Sequence, residues 1–151
     1  MFRPDPRTLA ALEALAERLP GASATRLRSA VQATLDASRP DLTDALLLAA
    51  RLSPELDRVL CAAACRATAA RLASRRPGGT VELRVPPFVA VQLGFGDGPR
   101  HTRGTPPNVV EMSGEVLLDL ATGRIGWDQA TVSASGVHAE RVAELFPVTA
   151  P

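Results

Sequence analysis

The sequence predicts an α+β layer fold that follows an N-terminal helical extension, and two observations support this prediction. Residues 4–76 carry apolar side chains at helical spacing until the breaker Pro77-Gly78-Gly79. Beyond that breaker, strand-like and helix-like segments follow one another without regular βαβ units. This order is typical of helices packed on a sheet in an α+β fold. We therefore expect a helical region over residues 1–76 and an α/β region over residues 77–151.

Four helices are predicted in the first region, each from a residue pattern that starts or stops a helix. The four start signals are Asp5-Pro6, Ser23, Asp41 and Ser53-Pro54-Glu55. The first helix is expected to end at Pro20-Gly21, the second near Pro40 and the fourth at about Arg75.

In the second region, strictly alternating residues 80–85 predict a half-buried strand. A second and more buried strand is expected over 88–93, after Pro86-Pro87, with further strands over 108–112 and 132–135. Ser113 is expected to cap a helix that Gly123 closes. A helical turn is predicted at 127–130, and a last helix over 138–146.

Composition excludes several classes of partner. The formal net charge is +1, so there is no bulk attraction to nucleic acid. Aromatic residues are 3% of the chain, which is too few for a platform that stacks single-stranded bases. No apolar stretch, residues 45–50 included, is long enough to insert stably in a membrane. With two cysteines and no signal-peptide pattern over residues 1–6, we expect a cytoplasmic protein.

The least ordinary segment is a Gly/Pro/Arg-rich loop over residues 98–108. Arg100, His101 and Arg103 lie within four residues, and Thr102 and Thr105 add hydroxyl groups. Arginine forks onto carboxylate or phosphate, and rigid prolines lower the entropy cost of binding. These residues could hold one anionic group. Alternatively, this is a surface loop whose arginines pair with neighbouring acidic residues.

No catalytic or metal-binding set is complete in the sequence. His101 could act as a general acid or base, but no nucleophile-base pair accompanies it. Cys61 and Cys65 lie one helical turn apart and could begin a metal site. The only histidines are His101 and His138, so we expect two buried apolar thiols instead. Neither a metal nor a cofactor is predicted.

Several segments carry a resemblance to a known family. They are Val85-Pro86-Pro87-Phe88-Val89-Ala90-Val91-Gln92, the stretch from Gly98 to Glu111, Leu120-Ala121-Thr122-Gly123-Arg124, Trp127 and Ala134-Ser135-Gly136. Together they resemble bacterial sterol-carrier-protein relatives of actinobacteria, over residues of about 77–149. The resemblance implies a mixed sheet covered by helices around an apolar cavity for a lipid-like molecule. It also implies kinship with the C-terminal domain of thiol-dependent maleylpyruvate isomerases.

The chain departs from that family pattern at three places. It is several residues shorter between Trp127 and Val132, and residues 137–142 replace an expected polar stretch. The N-terminal helices are longer than in typical relatives. They contain no histidine, so they cannot supply the metal-binding domain of the isomerases.

The leading hypothesis is a non-catalytic carrier of a small hydrophobic ligand with an anionic end. The resemblance and the apolar pattern together give the candidate ligand-binding residues Phe88, Val91, Leu117, Leu120 and Trp127 for the cavity, and Arg100, His101, Arg103, Thr105 and Asn108 for its mouth. Two alternatives stay open. One is a module whose N-terminal helices bind a protein partner or a second copy. The other is a thiol-dependent isomerase or transferase in which Arg103 and His101 polarise a small acid.

Overall fold

The computed structural model describes residues 1–96, 104 and 106–149. Within these residues, five α-helices, two 3-10 helices and four strands form. The α-helices are α1 (Pro6–Arg18), α2 (Gly21–Leu35), α3 (Thr43–Leu52), α4 (Arg58–Arg75) and α5 (Gly114–Thr122). The strands are β1 (Val81–Val85), β2 (Val89–Leu93), β3 (Val109–Glu111) and β4 (Ser133–Ser135). The 3-10 helices are Trp127–Gln129 and Ala139–Leu145.

The four strands form one mixed sheet in the order β2-β1-β3-β4. β1 pairs antiparallel with β2 and parallel with β3, and β3 pairs antiparallel with β4. α4 lies against β2, and α5 lies against α3 and α4. The predicted α+β class, with a mixed sheet covered by helices, is confirmed.

Burial along the strands follows their place in the sheet. The central strand β1 buries Val81, Leu83 and Val85 and leaves the two residues between them half-exposed, which confirms the predicted alternation. β2 is less buried than β1, although its apolar sequence predicted the opposite. The reason is its position at the edge of the sheet, where only one side pairs with another strand.

Two helix starts differ from the prediction. α2 begins at Gly21, so Ser23 lies inside its first turn and does not cap it; the helix ends at Leu35, short of Pro40. α4 begins after Asp57, whose side chain accepts a hydrogen bond from the backbone N–H of Leu60 at 2.8 Å. Ser53 cannot start α4 because its backbone N–H still bonds to α3.

Other helix ends formed where the sequence placed them. The Asp5 carboxylate caps α1 by accepting from the backbone N–H of Thr8 at 2.9 Å. Ser113 caps α5, and Gly123 closes it with a left-handed φ of 72°. Residues 138–146 do hold a helix, but it is a 3-10 helix over Ala139–Leu145.

One hydrophobic core joins the helical region to the sheet. Leu12, Leu46 and Leu60 from the helices and Leu83 and Leu117 from the second region are fully buried in the same cluster. α4 packs against α1 and α3 as well as against β2 and α5. The division of the chain into a helical region that ends at residue 76 and an α/β region that begins at residue 77 stays a prediction.

Candidate functional site

The predicted apolar residues occupy two kinds of place. Leu117 and Leu120 are 0% and 1% exposed on the inner face of α5, where they are part of the packed core. Phe88, Val91 and Trp127 are half-buried at the edge of that core. All five residues therefore belong to one core or border on it. The two leucines lie inside this core, and the other three residues lie at its edge.

Trp127 is held by two neighbours near the C-terminal end of the described chain. Its indole N–H donates to the Glu140 carboxylate at 3.2 Å, and its ring stacks on Phe146 with 6.2 Å between ring centroids. An indole N–H that is partly buried usually needs such a partner. These contacts fix the orientation of the ring and leave it half-exposed.

Asn108 has a structural role that the sequence did not predict. It is 2% exposed, its amide nitrogen donates to the carbonyl of Thr80 at 2.9 Å, and its amide oxygen accepts from the backbone N–H of His138 at 3.0 Å. A Cβ atom at Gly136 would lie 2.3 Å from that same oxygen. Asn108 thus ties three segments together with both ends of its side chain, and its contact with a ligand stays a prediction.

Four predicted residues, Arg100, His101, Arg103 and Thr105, lie outside the described residues. The chain that leads to them leaves the sheet after Leu93, which pairs with Val81 at the start of β1.

At the opposite end of β1, Phe88 helps to line an open groove of about 470 Å³. The groove runs between the start of α1, the first half of α4 and the turn that joins β1 to β2, and we call it the arginine groove. It is lined by Asp5, Arg7, Thr8, Arg58, Val59, Ala62, Arg66, Pro87 and Phe88. Among these residues only Phe88 was a predicted site residue, because all the others except Pro87 come from α1, its cap and α4, which pack against the sheet unit.

Electrostatically, the arginine groove is cationic. Arg7, Arg58 and Arg66 line it together with a single carboxylate, Asp5, which is attracted by the charge of Arg66. Hydrogen bonds from the side chain and the backbone of Thr8 hold the pKa of Asp5 below its ordinary value, so this carboxylate stays ionised at neutral pH. Three guanidinium groups beside one carboxylate leave two positive charges in excess.

A second cleft, of about 450 Å³, contains the more exposed cysteine. Cys61 lines it together with Leu56, Leu118 and Arg124, and its thiol is half-buried. A hydrogen bond with the buried Cys65 holds the pKa of Cys61 below its ordinary value, although burial and the nearby Glu115 oppose that shift. The same hydrogen bond and burial raise the pKa of Cys65.

The predicted pair of apolar thiols is therefore asymmetric. Cys65 is enclosed, and its sulfur lies 3.6 Å from the carbonyl oxygen of Gly114. Among the residues that the structure describes, no group of three or more histidine, cysteine or acidic side chains could hold a metal ion. Within the same residues, no helix is both long and apolar enough to cross a bilayer.

A family of bacterial sterol-carrier-protein (SCP) orthologues matches residues 57–148, more than half of the chain. The chain belongs to this family. No curated protein matches it.

The family match places the sterol-carrier unit more widely than the resemblance did. It begins at Asp57, the capping residue of α4, and therefore includes the whole of that helix. All ten candidate residues from the sequence lie inside the sterol-carrier unit. The arginine groove lies across its boundary, since Arg58, Arg66 and Phe88 belong to the unit and Arg7 belongs to the extension.

Proposed function

We propose that this sterol-carrier-family protein binds and carries a small hydrophobic, lipid-like ligand without transforming it. The observation that carries the proposal is the family match over residues 57–148. The mixed sheet with helices on it agrees with that match. A cytoplasmic place of action is part of the proposal, and the two free thiols suit a reducing compartment.

Two placements of the ligand follow from the proposal. In the first, the ligand reaches Leu117 and Leu120 between α5 and the sheet, with Arg100, His101 and Arg103 at the mouth. This placement requires the packed core to open, because both leucines are fully buried. In the second, the ligand lies in the arginine groove, against Phe88, and the core stays closed.

The test is native mass spectrometry of the full chain, freed of lipid, with a fatty acid, an acyl-thioester and a sterol. We expect a saturable one-to-one complex with at least one of them. An unrelated protein of similar mass, incubated with the same ligands, measures non-specific adducts. If no ligand gives a saturable complex above that control, the carrier function is wrong.

Trp127 gives a second readout in solution, since it is the one tryptophan of the chain. A ligand that enters between α5 and the sheet should disturb its stacking on Phe146 and shift its emission. A ligand bound in the arginine groove should leave the emission nearly unchanged. The two placements are therefore distinguishable once binding is found.

A further inference from the structure

Three guanidinium groups of the arginine groove have room for a partner from outside the chain. Arg7, Arg58 and Arg66 are exposed, and none forms a salt bridge or a side-chain hydrogen bond with any residue that the structure describes. By contrast, Arg28, Arg71 and Arg124 are each paired with a carboxylate. Arg66 interacts with Asp5 only through the longer-range attraction of their charges. Arginines that line one groove without a bonded carboxylate among the described residues favour an anion, because guanidinium donors fit carboxylate and phosphate oxygens.

The same groove has an apolar wall. Val59 and Ala62 are half-buried and lie one turn apart on α4, and Arg66 follows one turn later on the same face. The Phe88 ring closes the wall, and it is packed so closely against α5 that a Cβ atom at Gly114 would lie 2.8 Å from it. This wall can cover an alkyl chain while the arginines hold a charged end.

The size of the groove suits one small amphiphile. Its volume of about 470 Å³ lies within the range of roughly 300–1,000 Å³ that small-molecule sites occupy. It lies at the Val85 end of β1, opposite the Val81 end where Leu93 pairs. Variants of the groove and of Arg100 and Arg103 therefore test the two placements of the ligand.

We propose that the arginine groove is the site of the carried ligand, and that this ligand is a single-chain amphiphile with a carboxylate or phosphate head group. This inference rests on the proposed carrier function. It adds the location of the bound ligand and the charge of its head group. Arg58 and Arg66 on α4 and Arg7 on α1 bind the head group. Val59, Ala62 and Phe88 contact the chain.

The test measures binding of three probes with one tail, dodecanoate, dodecyl phosphate and dodecanol, by titration calorimetry of the full chain below their micelle concentrations. We expect both anions to bind the wild type at least tenfold more tightly than dodecanol. The double variant Arg58→Gln/Arg66→Gln should lose about tenfold in affinity for the anions and little for dodecanol. The charge-matched control is Arg26→Gln/Arg39→Gln, two exposed arginines that do not line the groove, and it should change anion binding less than twofold. The loop variant Arg100→Gln/Arg103→Gln tests the first placement and should change anion binding less than the groove variant does.

A third variant tests the apolar wall. Ala62→Phe puts a ring into the groove and should weaken all three probes by a similar factor. Because positions 58, 62 and 66 are at least partly exposed, these variants should fold, and circular dichroism checks that they do.

Each outcome separates the two proposals. If the wild type binds none of the probes, and no other lipid in the mass-spectrometric test, the carrier function fails and the groove with it. If the wild type binds the anions but the groove variants bind them equally well, the arginine groove is not the ligand site and the carrier function stands. If only Arg100→Gln/Arg103→Gln loses affinity for the anions, the arginine groove is likewise not the ligand site. Equal binding of dodecanol and the anions overturns the charged head group, and a preference between the two anions identifies it.

Discussion

Gly114 offers a sharp test of how closely α5 packs on the rest of the protein. It is the first residue of α5, and a Cβ atom there would lie 2.8 Å from a ring carbon of Phe88 and 2.9 Å from the sulfur of Cys65. Ordinary carbon contacts are about 3.5–4.0 Å, so Gly114→Ala forces both neighbours, or α5 itself, to move. Gly21 begins α2 in the same way, but a Cβ atom there meets nothing within 4 Å.

The two glycines allow the cost of the clash to be separated from helix propensity. Replacing glycine by alanine in a helix stabilises by up to about 1 kcal/mol, whereas overpacking a core costs about 1–3 kcal/mol. Gly114→Ala should therefore lower the free energy of unfolding by about 1–2 kcal/mol. Gly21→Ala should leave it unchanged or raise it slightly. The difference between the two variants isolates the overpacking cost, because both positions begin a helix.

Urea unfolding followed by circular dichroism measures both variants against the wild type. At this chain length, 1 kcal/mol corresponds to a shift of about 2–4 °C in Tm, so thermal unfolding gives an independent check. If Gly114→Ala is as stable as Gly21→Ala, the close packing of Phe88 and Cys65 on α5 is refuted. The groove wall that Phe88 forms would then be looser than the structure shows.

Two further predictions concern the buried side chain of Asn108 and the reactivity of the two cysteines. Asn108→Ala should lower the free energy of unfolding by about 2–3 kcal/mol, because two backbone groups lose their partner. Asn108→Asp should also destabilise, because it keeps the acceptor for His138 but turns a second acceptor toward the Thr80 carbonyl. Unchanged urea midpoints in both variants would contradict this role. Iodoacetamide should alkylate Cys61 much faster than Cys65, because only the thiolate reacts and the pKa of Cys61 is lowered while that of Cys65 is raised. The pH midpoint of the Cys61 rate should lie below that of an unperturbed thiol. Peptide mapping measures both rates, and in Cys65→Ala the midpoint for Cys61 should rise; an unchanged midpoint would remove the proposed hydrogen bond as its cause.

Elements with local signals could be predicted from the sequence. Ser113 and Gly123 bound α5 because a side-chain cap and a left-handed glycine act within one turn of chain. The alternation of β1 is likewise local, since side chains of a strand point to opposite faces in turn. Where two residues could each cap the start of the same helix, the local sequence does not show which of them does. Ser53 and Asp57 are both good caps, and the choice depends on where α3 ends.

Features that depend on distant segments could not be predicted in this way. The apolar sequence of β2 fits a central strand, and only the strand order makes it an edge. The arginine groove brings Arg7, Arg66 and Phe88 together from three separate parts of the chain. In its own sequence context, each of these residues is typical of an ordinary surface or core position. For the candidate site, the sequence therefore located the aromatic residue of the groove but none of its charges.

The position of α4 has a consequence for how the molecule opens. This helix contacts α1 and α3 as well as β2 and α5, so none of these elements can detach without exposing it. Its backbone amides should therefore exchange with solvent as slowly as those of β1, and only through global unfolding. The helical extension and the sterol-carrier unit then behave as one cooperative foldon. A ligand that binds along α4 would stabilise both of them together.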